Sequence, residues 1–158
     1  MPQSLSYLLT HIVFSTKDRA PVLDVTVRPA LHAYLATVAR NVDSECFRVG
    51  GVADHVHLAV RLSRTVTMAQ LIEELKTSSS KWLKTQSPAL AAFAWQRGYG
   101  AFSVGPSDLN ALLHYITPRR SITRRAPFRT NTAPSSRNTA SNTMNAMSGT
   151  DSPTTHFQ

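Results

Sequence analysis

The segment 54–62 constrains the fold most, because it reads as one β-strand with two unlike faces. Successive side chains of a strand point to opposite faces of a sheet. One face of this strand is apolar and belongs in a core: Val56, Leu58, Val60 and Leu62. The other face carries His55, His57, Ala59 and Arg61. The chain must therefore build a sheet that is covered on the first face and presents two imidazoles on the second.

His55 and His57 are candidate ligands of a metal ion. Two neutral imidazoles at positions i and i+2 of a strand can reach one divalent cation. A cation held by two histidines keeps coordination positions open for a phosphate and for a ligand from elsewhere. The alternative is a pair of ordinary surface histidines on a half-exposed strand, and the short motif by itself leaves both interpretations open.

The composition limits the class of protein. A chain of 158 residues with 42% hydrophobic residues can form one packed domain, alone or with a tail. Cys46 is its single cysteine, which excludes an intrachain disulfide and favours a reducing compartment. No secretory signal is evident, and no apolar run approaches the roughly 20 residues that cross a bilayer. We therefore expect a cytoplasmic protein with no membrane partner.

The periodicity of apolar residues predicts the element order β-α-β-β-α-β-α. Thr67 is the expected N-cap of the second helix, which ends before Pro88, and Pro106 begins the start signal of the third helix. The predicted strands span 5–15, 44–51, 55–62 and 99–104, and the first helix spans 27–42. This order predicts an α+β fold of the ferredoxin-like type, an antiparallel sheet with helices on one face.

The net charge of +8 is unevenly distributed along the chain. Residues 1–118 carry 11 Lys and Arg against 8 Asp and Glu, whereas residues 119–158 carry 6 Arg and one Asp. A basic chain suggests a polyanionic partner, but most of this charge lies in the second segment. That segment is rich in polar residues and cannot bury a core. We predict a folded domain over 1–118 and a disordered basic tail over 119–158.

Tyr115 is a second candidate for chemistry. It falls on the third helix, roughly 110° from the centre of the helix's apolar stripe, which consists of Leu109, Leu112, Leu113 and Ile116. A tyrosine on this flank is either a surface residue with a packed ring or a nucleophile that presents its hydroxyl. A metal that polarises a phosphodiester and a phenol that attacks it would together form a complete transesterification site.

Four sequence blocks occur in an order that resembles a known family. They are the runs 11–17 (HIVFSTK), 54–58 (DHVHL) and 95–104 (WQRGYGAFSV), followed by Tyr115 with Ile116. Together they resemble the HUH single-tyrosine transposases of small bacterial insertion sequences and their REP-associated relatives. The resemblance covers about residues 4–117.

The resemblance implies a fold, a substrate and a mechanism. The fold would be a ferredoxin-like HUH domain, usually a homodimer whose sheets join and whose tyrosine helices complete the partner's active site. The substrate would be single-stranded DNA with a hairpin beside the cleavage site. Mg²⁺ or Mn²⁺ would be held by His55 and His57, and Tyr115 would attack the scissile phosphate to form a 5′-phosphotyrosine intermediate.

The sequence departs from the family pattern directly after Tyr115. The pattern runs Tyr-Ile-x-x-Gln, and its Gln is the third metal ligand, but this chain has Arg119 at that position, preceded by Pro118. A guanidinium has no acceptor atom and cannot bind a metal, and a proline removes a helical N–H. The resemblance therefore implies either an active transposase or an impaired copy of one.

A single-nucleotide deletion near codon 118 would explain the tail. Codons permitted for residues 118–123, read from the third base of codon 118, can encode Gln-Glu-Glu-His-His. We hypothesise that 119–158 is frameshifted and that its charge is accidental; a naturally divergent basic tail is the alternative. Sequencing codons 116–120 tests this, because codons incompatible with the second frame would contradict it.

Two other functions stay open as alternatives. A non-catalytic nucleic-acid-binding module, such as a decayed or domesticated copy, would share the fold without the covalent chemistry. A nucleotide hydrolase of the H-x-H-x-H type is disfavoured, because it needs a histidine at Ala59.

Residues around the two candidate sites have expected supporting roles. Asp54 either orients an imidazole as its hydrogen-bond partner or is a turn residue before the strand, and the sequence leaves both roles open. Trp95 is expected to pack in the core rather than to stack on bases. The basic residues expected to contact the DNA backbone are Lys17, Arg19, Arg61, Lys76 and Lys81.

Overall fold

The computed structural model describes residues 3–117 of the chain. Over this range four strands and three α-helices follow one another in the predicted order. The strands are β1 (Leu8–Ser15), β2 (Glu45–Gly51), β3 (His55–Leu62) and β4 (Gly100–Val104), and the helices are α1 (Arg28–Asn41), α2 (Met68–Lys84) and α3 (Leu109–Ile116). The tail predicted over 119–158 lies outside the described residues, as does Arg119.

The sheet has the strand order β2-β3-β1-β4, and every neighbouring pair is antiparallel. The four strands with α1 and α2 therefore form the predicted ferredoxin-like α+β fold. Within the central pair, Val13 lies opposite His57 and Ser15 lies opposite His55. This register places the C-terminal end of β1 beside the histidine end of β3.

The hydrophobic core lies between the sheet and the two long helices. Val56, Leu58 and Val60 of β3 are buried there, as the period of two predicts, together with Ile12 and Phe14 of β1. The helices contribute Leu31, Leu35, Val38, Leu71, Ile72, Leu75 and Leu83. Thr67 caps α2 as predicted, because its hydroxyl accepts the Gln70 N–H and the Gln70 side chain accepts the Thr67 N–H.

The first strand is shorter than predicted. It begins at Leu8 rather than at residue 5, and the side chain of Leu5 is fully exposed. Leu8 lies opposite Leu62, the last residue of β3, so the three preceding residues have no partner on that strand. Apolar composition alone therefore overestimated the length of β1.

Helix α3 lies on the face of the sheet opposite to α1 and α2, which differs from the expected placement of all helices on one face. Its Ile116 is buried over Gly50 of β2, and its Tyr115 ring contacts rings of β1 and β3. The rest of its apolar stripe is only half-buried. Within residues 3–117, no helix is long and apolar enough to cross a membrane.

Candidate active site

Three histidines meet on the face of the sheet that carries α3, because β1 and β3 are neighbours in antiparallel register. His11 lies opposite Ala59 and therefore sits diagonally beside His57. The ring centroids of His55 and His57 are 4.9 Å apart, and those of His11 and His57 are 5.2 Å apart. The two predicted ligands are thus side by side, and a third imidazole adjoins one of them.

Each of the two predicted ligands has its Nδ1 atom in a hydrogen bond. Asp54 Oδ1 lies 2.6 Å from Nδ1 of His55, and Asp54 Oδ2 accepts a bond of 3.0 Å from Nε of Arg19. Nδ1 of His57 lies 2.9 Å from Nε2 of His11. Both bonds involve Nδ1, so they leave the Nε2 atoms of His55 and His57 available. Asp54 therefore makes the hydrogen bond to an imidazole, one of the two roles that the sequence leaves open.

Burial keeps the imidazole of His57 neutral. It lowers the pKa of His57 to about 4, with further contributions from the neighbouring His55 and His11. Burial also lowers the pKa of His11. Burial alone would raise the pKa of Asp54, but hydrogen bonds from His55 and Arg19 outweigh it and lower this pKa. Near neutral pH the site therefore holds a neutral imidazole, the form that binds metals, beside an ionised carboxylate.

Tyr115 is an exposed residue beside the histidines. Its ring centroid is 5.5 Å from that of His57 and 6.0 Å from that of His11, and both pairs are edge-to-face. The residue is 65% exposed, in agreement with the flank position predicted for it. An exposed phenol next to a neutral imidazole would allow a nucleophile and a metal ligand to act on one substrate atom.

Contacts at the C-terminal end of α3 hold the tyrosine helix against the sheet. Arg48 of β2 donates to the Leu113 carbonyl at 2.9 Å and to the Thr117 hydroxyl. The Ile116 backbone lies directly on Gly50, where any larger residue would place its Cβ against the Ile116 carbonyl. The position of Tyr115 thus depends on an anchored helix end.

The imidazoles of His55 and His57 can serve as two ligands of a divalent cation. They do not form a complete set of ligands. In the part of the chain that the structure describes, no group of three or more His, Cys, Asp or Glu side chains is arranged to hold a metal ion. Nε2 of His11 does not complete the set, because this atom is hydrogen-bonded to Nδ1 of His57. A cation at His55 and His57 would therefore need ligands of another kind to complete its coordination.

Comparison with known proteins identifies the family of the chain. A profile for the family described as "Transposase IS200 like" matches residues 4–119. The chain belongs to the IS200-like transposase family. The resemblance found in the sequence is thereby confirmed. No curated protein matches this transposase.

Solved structures share the fold of the transposase. A provisionally assigned transposase of Deinococcus radiodurans is 21% identical, with a TM-score of 0.59 over 73% of this chain and 95% of that one. A REP-associated tyrosine transposase, solved bound to a REP hairpin, is 15% identical, with a TM-score of 0.51 over 73% of this chain and 70% of that one. Likeness at these identities concerns the fold.

The basic residues predicted to contact DNA are dispersed over the transposase domain. Lys17 and Arg19 are exposed just after β1, at the histidine end of the sheet. Arg61 lies four residues beyond His57, roughly 13 Å along β3, and forms an ion pair of 2.9 Å with Glu45. Lys17 and Arg19 therefore lie nearest the histidines, and all of these DNA contacts stay predictions.

The two predicted lysines of α2 lie on the opposite side of the sheet from the histidines. Lys81 is exposed there, and Lys76 donates from Nζ to the carbonyls of Gln96, at 2.8 Å, and Gly98. Trp95 packs edge-to-face on Phe14 and Phe93, as expected of a core residue.

His11 is the residue of the site whose contact the sequence did not indicate. His11 begins the run 11–17 that resembles the family. Because β1 carries apolar residues on both faces, the alternation of polar and apolar residues does not mark His11 as unusual. Its contact with His57 depends on which strands are neighbours and on their register. The signal available was a polar residue in an apolar strand.

Replacing Gly50 by alanine should displace the tyrosine helix. The added Cβ would clash with the Ile116 carbonyl and would lie within 2.8 Å of its Cγ2. Because the obstacle is backbone, we expect α3 to shift and activity that depends on Tyr115 to fall by more than about tenfold, since misplacing a reacting group by about 1 Å can cost about 100-fold. His114→Ala, at an exposed residue of the same helix, is the control variant; equal activities of Gly50→Ala and wild type would contradict the assignment.

The stability of the metal-free transposase should fall as the solution is acidified. The pKa of His57 is about 4 in the folded chain, against 6.5 for an ordinary histidine. Between these values the unfolded chain binds a proton that the folded chain excludes, so stability is lost as pH falls through this window. Urea unfolding in EDTA should show a smaller loss in His57→Gln than in wild type. Parallel losses would contradict the neutral state of His57.

Proposed function

We propose that this transposase binds single-stranded DNA with a hairpin and cleaves and rejoins it through a 5′-phosphotyrosine intermediate on Tyr115. The observation that carries the proposal is the exposed Tyr115 ring 5.5 Å from the ring of His57. Family membership supports DNA transposition as the process. The hairpin-bound REP-associated transposase, which shares the fold, supports a hairpin as the recognised form.

In the proposed reaction the Tyr115 oxygen forms a bond to the phosphorus of the scissile phosphodiester. The bond from phosphorus to the 3′ oxygen breaks, the phenol proton is released, and the leaving 3′ oxygen takes up a proton. A 3′ hydroxyl later attacks the phosphotyrosine, which rejoins a strand and returns Tyr115 to its free form. The step conserves the number of phosphodiester bonds and therefore needs no nucleotide cofactor.

His55 and His57 would hold Mg²⁺ or Mn²⁺ in this site. A bound divalent cation would supply charge stabilisation at the scissile phosphate. Asp54 fixes the ring of His55 through Nδ1, at 2.6 Å, and Arg19 in turn holds Asp54. These contacts keep the donor atom of His55 in one orientation, as hydrogen-bonded partners of metal-binding histidines do elsewhere.

The test is covalent capture of DNA. Purified transposase is incubated with labelled single-stranded DNA from the flanks of its own gene, with Mn²⁺ or with EDTA, and the products are denatured in SDS. We expect a protein–DNA adduct in Mn²⁺ and none in EDTA. An adduct that forms equally in EDTA would contradict the role of the metal.

We also propose that the transposase acts as a homodimer. β4 forms one edge of the sheet, with a row of backbone groups that can pair with a second copy, and Phe102 on it is exposed. If the copies share active sites, mixing Tyr115→Phe with His57→Ala should restore adduct formation that neither variant has alone. Failure of the mixture, together with a monomeric mass in solution, would contradict this proposal.

A second candidate is a non-catalytic nucleic-acid-binding module. It is favoured by the incomplete set of metal ligands over residues 3–117. Arg119, where the family pattern has a glutamine, also favours it. It predicts hairpin binding with no adduct under any metal condition. An adduct that appears only after the alternative reading frame is restored would make this chain the product of a broken transposase gene.

A further inference from the structure

We propose that His11 is a positioning residue for His57, because its Nε2 accepts the Nδ1 hydrogen of His57 and so leaves Nε2 of His57 free for a cation. The two nitrogens lie 2.9 Å apart. This inference rests on the proposed function, in which His57 is a metal ligand. It assigns a task to a residue outside the two-histidine motif.

The direction of this hydrogen bond decides whether His57 can bind a metal. A neutral imidazole carries its proton on one nitrogen and a lone pair on the other. If His11 donated to Nδ1 of His57, the proton of His57 would sit on Nε2, and no lone pair would be left for a cation. If His57 donates instead, Nε2 keeps its lone pair. A ligand role for His57 is therefore compatible only with His11 as the acceptor.

The neighbouring ligand has the same arrangement with a different partner. Asp54 Oδ1 lies 2.6 Å from Nδ1 of His55. An ionised carboxylate can only accept, so the neutral form of His55 carries its proton on Nδ1 and keeps Nε2 free. His11 would accept the Nδ1 hydrogen of His57, as Asp54 accepts the Nδ1 hydrogen of His55. Metal-binding histidines generally donate their second ring N–H to a partner of this kind.

Packing holds the ring of His11 in place for this role. It stacks on His57 with an interplanar angle of 21° and a centroid distance of 5.2 Å. Its other neighbours are the rings of Phe102, at 6.1 Å, and Tyr115, at 6.0 Å. Its backbone is fixed in β1 between β3 and β4. The acceptor nitrogen of His11 is thus positioned before any ligand binds.

Two substitutions separate the hydrogen bond from the packing. His11→Phe keeps an aromatic ring between its neighbours but has no acceptor nitrogen, whereas His11→Gln has a side-chain carbonyl that can accept. His114→Phe is the matched control, since His114 lies exposed on α3. All variants are made in the full chain and compared without DNA.

Two readouts test the proposal. Nitrogen-15 spectra of the histidine rings in metal-free protein report which nitrogen of His57 carries the proton. Mn²⁺ titration followed by electron paramagnetic resonance reports metal affinity. We expect the proton on Nδ1 in wild type, a shift towards Nε2 in His11→Phe, and Mn²⁺ binding weakened by about 10–100-fold in that variant. His11→Gln should recover most of the affinity, and the His114→Phe control should match wild type.

The outcomes distinguish this inference from the proposed function. A proton on Nε2 of His57 in wild type, or wild-type Mn²⁺ affinity in His11→Phe, would overturn the role of His11. If wild type binds no more Mn²⁺ than His55→Ala does, the metal site itself fails, and the wild-type spectrum still decides the direction of the bond. That spectrum needs no variant, so a poorly folded His11→Phe does not prevent the test.

Discussion

Replacing Tyr115 by phenylalanine should abolish the covalent protein–DNA adduct, with a loss of at least about 1,000-fold because phenylalanine has no oxygen that can attack the phosphate. Phenylalanine keeps the ring that packs edge-to-face on His57 and His11. The fold and hairpin binding should therefore remain, as measured by thermal melting and by a gel-shift assay.

Tyr99→Phe is the matched control for this prediction. Tyr99 is 45% exposed and lies just before β4, so it is an accessible tyrosine outside the histidine cluster. We expect the Tyr99→Phe variant to form the adduct at the wild-type level. Adduct formation by Tyr115→Phe, or its loss in Tyr99→Phe alone, would assign the nucleophile to another residue.

Replacing His57 by alanine should reduce adduct formation by at least about 100-fold in Mn²⁺, because charge stabilisation by a bound cation contributes several kcal/mol and each 1.36 kcal/mol is tenfold. The variant loses one of two imidazoles and leaves His11 without its 2.9 Å partner. The measurement is the initial rate of adduct formation, with Mn²⁺ titrated to saturation.

Two further variants test whether the loss of activity is specific to the metal site. His55→Ala should lower the rate to a similar extent, since both imidazoles are assigned to the same cation. His114→Ala removes an exposed histidine from α3 and should have little effect. A His57→Ala variant that melts like wild type and retains full activity would contradict the metal site.

The sequence predicted best the elements whose signals are local. Alternation of polar and apolar residues placed β3 at the bounds that the structure has, His55–Leu62. The N-cap of α2 at Thr67 was predicted from one side chain and the apolar run that follows it. In both cases, the information lies within a few neighbouring residues of the chain.

The placement of α3 and the contact of His11 were not predictable in this way. The apolar stripe of α3 indicates that the helix packs on something, but does not say which face of the sheet it covers. That choice depends on Gly50, which admits the Ile116 backbone, and on Arg48, which bonds the helix end. His11 meets His57 only because β1 inserts between β3 and β4.

The central claim is tested most directly by locating the covalent bond. After reaction with single-stranded DNA and nuclease trimming, trypsin should release the peptide 98–119, which contains both Tyr99 and Tyr115. Fragmentation in the mass spectrometer then separates the two tyrosines. The account predicts a nucleotide 5′-phosphate on Tyr115 in the sample with Mn²⁺. A nucleotide on Tyr99 or on any other residue, or none where the DNA has been cut, would contradict it.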